Sequence, residues 1–447
     1  MRLLHTSDWH LGRTLYSKKD RQEEQGAFLS WLLGALKDNA VDLLIVAGDI
    51  FDTNSPSNSS QKMYYDFLLK VRDTGCQNVV IVGGNHDSPG FLNAPKEILA
   101  AINVRVIGNA SENPEDEVFV VKDREDNPSA IVCAVPFLRE RDVSRFIEGE
   151  SYSDRSKRIA ENIRKHYEIV AEMAQNSKKR FQTSEVPPNR KAKSNPAPKD
   201  ITRSLFFETE IQETIRDVDN QMIPPVVKQP KIPVIATGHL SVAGGKKVED
   251  DGVRDTYIGN IECVGNEIFS PVFDYVALGH YHIASVIERN VRYSGSPIPM
   301  GFGEANKKKS VFIVDFAEDI PEITTIEIPV FQKIESIRGD KSYIHNRLDE
   351  LIKSGSSVWV EIIYDGEDVF PDLTSYVNEM VAQTKIDIIK IQNRQYQDEV
   401  LTQNDNTQSL DDLDKFEVFD ILLEKNNIST ERKEELKNLY QEIAILV

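Results

Sequence analysis

Five apolar, strand-like runs in this chain end directly in side chains that can bind metal ions. The polar residues that follow these runs are Asp8 and His10, Asp49 and Asp52, Asn85, His86 and Asp87, His239, and His280 and His282. The carboxyl ends of neighbouring parallel strands lie along one edge of a sheet, where ligand sites form. We therefore expect these residues, although distant in sequence, to lie together. At the end of four of these runs, a glycine precedes the polar residues. Because glycine has no Cβ, it allows the backbone to approach an ion closely.

The residue types indicate which metal the site would take. Carboxylate, amide and imidazole groups without cysteine suit manganese or iron better than structural zinc. The ligands exceed what one ion needs, so we expect two ions that share a carboxylate. Two such ions stabilise the attacking and leaving oxygens of a phosphoryl displacement and lower the pKa of a bound water. We expect two Mn²⁺ ions, with Mg²⁺ or iron as alternatives, and hydrolysis of a phosphate ester.

The segments between these motifs predict the elements that position them. Residues 1–110 alternate β-branched runs (RLLHTS, DLLIVAG, NVVIVGG) with helix-like stretches over residues 22–39 and 61–75. The run AIVCAVPF precedes a charged helix-like stretch over residues 153–178, and strands resume with KIPVIATGH and FDYVALGH. Near-continuous apolar strands separated by amphipathic helices are typical of a sheet covered on both faces. The sequence therefore predicts an α/β fold.

The composition also predicts several units along the chain. We assign residues 1–300 to the first domain, with a Pro- and Lys-rich mobile insertion near residues 183–230. Residues 301–395 predict a small α+β domain, in which ITTIEIPV is the first strand of a β-α-β-α-β order. A polar linker over residues 396–409 precedes two amphipathic helices over residues 410–447. These helices are too short to bury their own apolar faces, so they either dock on the body or bind a partner.

Charge and hydropathy limit the classes of function. A net charge of -19 over 447 residues argues against a protein that wraps nucleic acid over its whole surface, although a local DNA groove stays open. No run approaches the roughly 20 apolar residues that span a bilayer. The strand-like run at residue 2 leaves no room for a signal peptide, so we expect a cytoplasmic protein. Three scattered cysteines indicate neither a disulfide framework nor a zinc knuckle.

The order of the motifs resembles a known family. DxH, GDxxD, GNHD, GH and GHxH, spread over roughly the first 300 residues, are similar to the calcineurin-like metallophosphoesterases. SDWHLGRT, GDIFDTNSPS, GNHDSP, GHLSVAGG, LGHYHIAS and YSGSPIPMGFGE are closer still to the DNA-repair nucleases of that superfamily. The resemblance implies a metallophosphoesterase β-sandwich flanked by helices, a capping domain and a terminal segment that engages an SMC-family ATPase. It also implies DNA as substrate, a homodimer within a heterotetramer, and association with the nucleoid.

The resemblance further implies how the ligands are divided. One ion would be held by Asp8, His10, Asp49 and His282, and the other by Asp49, Asn85, His239 and His280. His86 is then left to stabilise charge on the substrate or protonate the leaving oxygen, whereas the alternative is a capped loop histidine. We expect Asp87 to orient the His86 ring by accepting its second N–H. Asp52 is expected to lie behind the ligands rather than among them.

Other residues carry weaker hypotheses. Basic residues in loops after the metal motifs are candidate contacts to DNA phosphates, although exposed basic loop residues are common: Arg13, Lys246, Lys247 and Arg254. The leading hypothesis is a manganese-dependent DNA nuclease, with double-strand exonuclease and single-strand or hairpin endonuclease activity, acting with the ATPase in DNA repair and recombination. A phosphatase or cyclic-nucleotide phosphodiesterase of the same superfamily is the alternative. A binding scaffold with an inactive metal site is the third hypothesis.

Overall fold

The computed structural model of the chain describes residues 1–183 without residue 146, residues 232–246, and residues 263–393 without residues 369 and 371. Near the C-terminus it describes residues 423, 433, 436 and 437 alone. The predicted insertion, the linker over residues 396–409 and nearly all of the helices over residues 410–447 therefore lie outside the described residues. Within the part that is described, no helix is long and apolar enough to cross a membrane.

The described ranges contain the following elements. The strands are β1 (Arg2–Thr6), β2 (Thr14–Leu15), β3 (Lys19–Asp20), β4 (Leu43–Ala47), β5 (Asn78–Val82), β6 (Val104–Ile107), β7 (Val118–Lys122), β8 (Pro128–Cys133), β9 (Val234–His239), β10 (Tyr275–Gly279), β11 (Ser285–Glu288), β12 (Val291–Tyr293), β13 (Ser310–Asp315), β14 (Glu322–Glu327), β15 (Lys333–Gly339), β16 (Val358–Tyr364) and β17 (Ile386–Asn393). The α-helices are α1 (Gln22–Asp38), α2 (Asn58–Thr74), α3 (Pro89–Asn93), α4 (Lys96–Ala100), α5 (Glu140–Val143), α6 (Tyr152–Thr183), α7 (Lys341–Ser354) and α8 (Leu373–Val381).

Two six-stranded sheets form the main body. The first has the order β14-β13-β1-β4-β5-β6, in which β1, β4, β5 and β6 run parallel. The second has the order β11-β12-β10-β9-β8-β7, with β8, β9, β10 and β12 parallel. Strand β4 (LLIVA) is buried at all five positions, because a parallel strand in the middle of such a sheet is covered on both faces.

The two sheets pack face to face between layers of helices. Aliphatic side chains such as Ile45 and Val80 of the first sheet share a core with Val132 and Ile235 of the second. On the outer faces, α1 and α2 cover the first sheet, and α6 covers the second. The predicted α/β fold and the metallophosphoesterase sandwich flanked by helices are confirmed.

Local sequence defines the ends of the α2 helix. Ser57 accepts a hydrogen bond from the backbone N–H of Ser60 at the start, and Gly75 adopts a left-handed φ of 92° at the end. A serine N-cap satisfies a free helical N–H, and a glycine tolerates the left-handed conformation that closes a helix. The helix therefore covers the segment in which amphipathic spacing predicted it, and it holds the loop after β4 against the sheet.

The domain boundary predicted near residue 300 is too early. Strand β13 pairs antiparallel with β1, and β14 pairs antiparallel with β13, so both strands complete the first sheet. The segment ITTIEIPV therefore belongs to the main body, and β15 (KIESIRG) is the first strand of the small domain. Hydrophobic periodicity identifies a strand but not its partner, because pairing is decided by contacts that are distant in sequence.

The small domain has its own core and, among the described residues, contacts the main body across a small apolar region. Its three parallel strands have the order β15-β16-β17, and α7 and α8 pack against them. We call the contact region the seam, and it consists of Leu15, Phe302, Ile334 and Ile389 with the partly buried residues around them. Lys18 Nζ donates to the carbonyl of Ile389 at 2.6 Å. The seam therefore joins the small domain to the segments that follow the first and the last metal motifs.

Candidate metal centre

The strand ends of both sheets bring the predicted ligands together in one place. Asp8 and His10 follow β1, Asp49 follows β4, and Asn85 follows β5 in the first sheet. His239 ends β9 and His280 follows β10 in the second sheet. Four of these residues have positive φ values: Asp8 (53°), His10 (46°), Asp49 (51°) and His280 (104°). Such conformations are unfavourable for residues with a Cβ and tend to occur at functional sites.

Two glycines leave the space that the ligands need. A Cβ on Gly48, whose φ is 87°, would collide with the imidazole of His239, and a Cβ on Gly84 would collide with the Asp49 carboxylate. Both turns therefore require glycine, for backbone conformation and close approach at Gly48 and for close approach at Gly84. Gly48 thus lets the loop after β4 approach His239 of the second sheet, and Gly84 lets the loop after β5 approach Asp49 of the same sheet.

The first group of converging side chains is Asp8, His10 and His282. One ligand atom from each lies within 4.8 Å of the others, and all three side chains are buried. His10 Nε2 and His282 Nε2 are 3.2 Å apart. Asp8 Oδ1 also accepts a hydrogen bond from the backbone N–H of His280 at 2.9 Å, which ties the first sheet to the second.

The second group surrounds Asn85. Its Oδ1 lies 3.0 Å from His239 Nε2 and 3.2 Å from His280 Nδ1. Asp49 stands between the two groups, because its Oδ2 is 3.3 Å from His239 Nε2 and 3.6 Å from His10 Nε2. A carboxylate in this position has the reach of a ligand that two ions share.

The donor set fits divalent cations. His10 Nδ1 faces the carboxylate of Asp52, and His282 Nδ1 faces that of Glu304. With a proton on each Nδ1, the two Nε2 lone pairs face each other at 3.2 Å, an arrangement that a cation would stabilise. His239 Nδ1 lies 2.8 Å from the carbonyl of Ala47, which assigns its proton to Nδ1 and leaves Nε2 to bind. Carboxylates, imidazoles and an amide without thiols match manganese, iron or magnesium.

Electrostatics in the centre follow from burial and pairing. Burial lowers the pKa of His280 to about 3, so this imidazole is neutral. Burial also lowers the pKa of His239, but the Asp49 carboxylate outweighs it and raises that pKa to about 9. Burial raises the pKa of Asp49, yet His239, His86 and His10 together lower it well below its usual range. A cation bound by His239 and Asp49 therefore displaces a proton.

Asp87 does not orient His86, so that prediction is wrong. Asp87 is completely buried, and its carboxylate accepts hydrogen bonds from the backbone N–H groups of Gly84 (2.8 Å), Ile50 (3.1 Å) and Phe51 (3.0 Å). Burial and the charge of Asp49 nevertheless raise its pKa to about 6. Asp87 instead fastens the loop after β5 to the loop after β4.

His86 lies at the rim of the centre. Its Nδ1 lies 3.0 Å from the carbonyl of Asp52, and its backbone N–H donates to Asp49 Oδ1 at 2.9 Å. A ring nitrogen lies within 4.8 Å of ligand atoms of His10 and Asp49. Nε2 has no hydrogen-bond partner among the described residues. A main-chain carbonyl, rather than the neighbouring carboxylate, therefore fixes the ring.

Asp52 stands behind His10. Its Oδ1 is 3.4 Å from His10 Nδ1 and 3.1 Å from Arg13 Nη1. Burial opposes its ionisation, but His10 and Arg13 outweigh burial and lower the pKa of Asp52 to about 2. The Arg13 side chain is only 12 % exposed, and its Nη1 donates to this carboxylate. Lys246 is exposed, whereas Lys247 and Arg254 lie outside the described residues.

One buried acid at the centre, Glu304, is not among the site residues predicted from the sequence. Its Oε1 lies 3.6 Å from His282 Nδ1, and the carboxylate forms an ion pair with Lys309. Burial opposes ionisation, but Lys309 and His282 lower the pKa of Glu304 to about 2. The acid belongs to the quoted segment YSGSPIPMGFGE, where a charged residue after an apolar run was the available signal.

Comparisons with known proteins agree with this geometry. Residues 1–284 match the calcineurin-like phosphoesterase family, and residues 330–427 match the type 5 capsule protein repressor C-terminal domain. The chain is 30% identical over 445 residues to the SbcD subunit of nuclease SbcCD from Escherichia coli K12, covering 98% of this chain and 97% of that protein. The proteins of the same name from Rhodobacter capsulatus and Bacillus subtilis are 30% and 28% identical. These matches cover 71% and 70% of this chain, and 67% and 66% of the two relatives.

The match to the phosphoesterase family spans all the strand ends that carry the candidate ligands, and the match to the Escherichia coli protein runs through the small domain to the C-terminal region. The chain therefore belongs to the calcineurin-like phosphoesterases and, within them, to the family of the SbcD subunits of nuclease SbcCD.

Proposed function

We propose that the chain is a metal-dependent phosphodiester hydrolase, the nuclease subunit of an SbcCD-type complex that acts on DNA. The observation that carries the proposal is the buried convergence of carboxylates and imidazoles from the ends of strands in two sheets. The 98% coverage by a relative named as a nuclease supports DNA, rather than a small phosphate ester, as the substrate. We propose double-strand exonuclease and single-strand or hairpin endonuclease activities.

The proposed centre holds two ions, for which we favour Mn²⁺, with Mg²⁺ or iron as alternatives. Asp8, His10, Asp49 and His282 would hold one ion, and Asp49, Asn85, His239 and His280 would hold the other. Bound in this way, two divalent ions supply charge stabilisation at the attacking and leaving oxygens of the phosphate and a water of lowered pKa. The position of Asp49 between the two groups supports its assignment as the shared carboxylate.

The remaining side chains prepare the site for a phosphodiester. His86 presents a ring nitrogen beside the ligands, and the carbonyl of Asp52 accepts from Nδ1 when the proton resides there. In that tautomer Nε2 accepts a proton and, once charged, donates it to a phosphate or leaving oxygen. Asp52 holds His10 from behind, and Asp87 fixes the loop that carries Asn85 and His86. Because these residues already hold the site in place, it does not have to rearrange when the substrate binds.

The competing functions share the metal chemistry but not the rest of the chain. A phosphatase or cyclic-nucleotide phosphodiesterase of this superfamily needs the same ligands, so the centre alone does not separate them. The additional match over residues 330–427 and the full-length relative favour the nuclease. A scaffold with an inactive site is disfavoured, because the ligand set converges and His86 lies beside it.

The proposal includes a partner and an assembly. The relatives are named as subunits of SbcCD, and we infer an SbcC-type, SMC-family ATPase as the partner of this chain. We propose that the C-terminal segment over residues 410–447 binds it, and that the chain forms a homodimer within a heterotetramer. Because the substrate is chromosomal DNA, we expect the complex at the nucleoid in the cytoplasm. Lys246 is a candidate contact to DNA phosphates, as are Arg13, Lys247 and Arg254.

A nuclease assay tests the proposed function. The purified full-length chain, loaded with Mn²⁺, is incubated with linear duplex DNA and with a DNA hairpin, in the presence and absence of the partner ATPase and ATP. We expect metal-dependent cleavage that stops with a chelator. Intact DNA together with efficient turnover of p-nitrophenyl phosphate or a cyclic nucleotide would favour the phosphatase alternative instead.

A further inference from the structure

We propose that Glu304 is a positioning residue of the metal centre, where its carboxylate, anchored by Lys309, holds the His282 imidazole with Nε2 toward the ligands. The inference rests on the proposed function, because His282 is assigned there as a ligand. It goes beyond that assignment because it concerns a buried pair outside the metal motifs. The pair comes from the segment between the last motif and strand β13.

The carboxylate of Glu304 faces two ways. Glu304 is completely buried, and its Oε1 lies 3.6 Å from His282 Nδ1. This is the ring nitrogen of His282 that faces away from His10. Oε2 forms the ion pair with Lys309 and accepts from the backbone N–H of Met300 at 3.2 Å. One oxygen is therefore committed to the fold, and the other stands behind the ligand. A carboxylate behind a ligating histidine fixes its ring orientation and increases its basicity.

Lys309 anchors the same histidine at its main chain. Its side chain is 6% exposed, and Nζ donates to the carbonyl of His282 at 2.9 Å and to Ser296 Oγ at 2.8 Å. The backbone N–H of Ser296 also donates to the carbonyl of His282, at 3.1 Å. The buried pair therefore restrains His282 at both its ring and its carbonyl. A flexible surface lysine could not provide this restraint.

Stability alone does not explain a buried ion pair at this position. Removing two charges from water carries a large desolvation penalty, and apolar residues of similar volume often support a fold equally well. The position of the pair beside His282 explains why it is charged, since an imidazole that is already fixed binds an ion without losing rotational freedom. The turn that carries Glu304 is itself held in place, because the neighbouring Phe302 stacks on Tyr16 in the seam. The centroids of the two rings are 5.5 Å apart.

Titration of the full-length, metal-free chain with Mn²⁺ by calorimetry tests the inference. The main variant is the double substitution Glu304→Gln and Lys309→Met, which removes both charges and preserves volume, so no unpaired buried charge remains. We expect the affinity for one ion to fall at least about 10-fold, as is usual for carboxylates behind ligating histidines. The second ion should bind as in the wild type, because Glu304 contacts His282 and not the Asn85 group. The single variant Glu304→Gln should weaken the same ion.

Glu117→Gln is the matched control. Glu117 is also completely buried and its carboxylate lies 2.7 Å from His166 Nε2, but this pair joins helix α6 to the turn before β7, outside the metal centre. The control should bind both ions with wild-type affinity. The melting temperature of each metal-free variant reports on folding independently of metal.

The outcomes separate the inference from the proposed function. Wild-type affinity for both ions in the double variant would overturn the inference. An equal loss of both ions together with a lower metal-free melting temperature would also overturn it, because that pattern indicates a purely structural pair. A wild-type chain that binds no Mn²⁺ would overturn the proposed function itself, and the inference with it.

Discussion

Substitution of Asp87 by asparagine distinguishes a structural carboxylate from a catalytic one. In the structure, Asp87 accepts three hydrogen bonds from backbone N–H groups, two at Oδ2 from Gly84 and Ile50 and one at Oδ1 from Phe51. Asparagine has one acceptor oxygen and one NH₂ group. If its oxygen faces Gly84 and Ile50, its NH₂ group faces the N–H of Phe51, and two donors oppose each other.

The cost follows from these contacts. One buried N–H loses its acceptor, which costs about 1–3 kcal/mol. The other two hydrogen bonds change from charge-assisted to neutral and each weakens by roughly 1 kcal/mol. The substitution also removes the repulsion between Asp87 and Asp49, which offsets part of the lost free energy. Burial and the charge of Asp49 already raise the pKa of Asp87 to about 6. We therefore expect the free energy of unfolding to fall by roughly 2–4 kcal/mol.

Thermal unfolding of the metal-free protein measures this loss. We expect the melting temperature of Asp87→Asn to fall by about 3–6 °C, since the unfolding entropy grows with the size of the main body. The control is Asp66→Asn, which removes a surface ion pair with Lys62 and should change the melting temperature little. An unchanged melting temperature in Asp87→Asn, combined with a large loss of cleavage, would refute the structural assignment and restore a role beside His86.

Three further predictions concern other parts of the chain. His86→Ala should keep both Mn²⁺ ions by elemental analysis and lose DNA cleavage about 100-fold or more, because general acid catalysis contributes that much; loss of metal would make His86 a ligand. Deletion of residues 406–447 should abolish co-purification with the partner ATPase and spare basal Mn²⁺-dependent cleavage, whereas unchanged co-purification would refute the docking role of that segment. Burial lowers the pKa of His5 to about 3, from an ordinary value of 6.5. Because the unfolded chain binds this proton first as the pH falls, His5 should reduce the free energy of unfolding by about 1.4 kcal/mol per pH unit between pH 6.5 and about 3. The free energy of unfolding of metal-free protein is measured by denaturant titration at several pH values. In His5→Gln, the slope of this free energy against pH should be smaller by this amount, and an unchanged slope would show that His5 titrates normally.

Local sequence patterns were enough to predict a metal site and an α/β fold. The motifs that carry Asp8, Asp49 and Asn85 each place a ligand after an apolar strand, and that pattern is local. Parallel strands align their carboxyl ends, so the convergence of these ends followed from the element order alone. The family followed as well, since the motif order covers the part of the chain that matches the phosphoesterases.

The side chains that support the ligands and the end of the first domain became evident from long-range contacts in the folded chain. Asp87 is next to His86 in sequence, yet its carboxylate turns to backbone groups of the β4 loop. Glu304 lies behind His282, and β14 joins the first sheet through β13, although neither contact has a signature in the local pattern. Strand periodicity and ligand motifs are properties of a few consecutive residues. Hydrogen bonds between loops and between strands depend on how the whole chain packs.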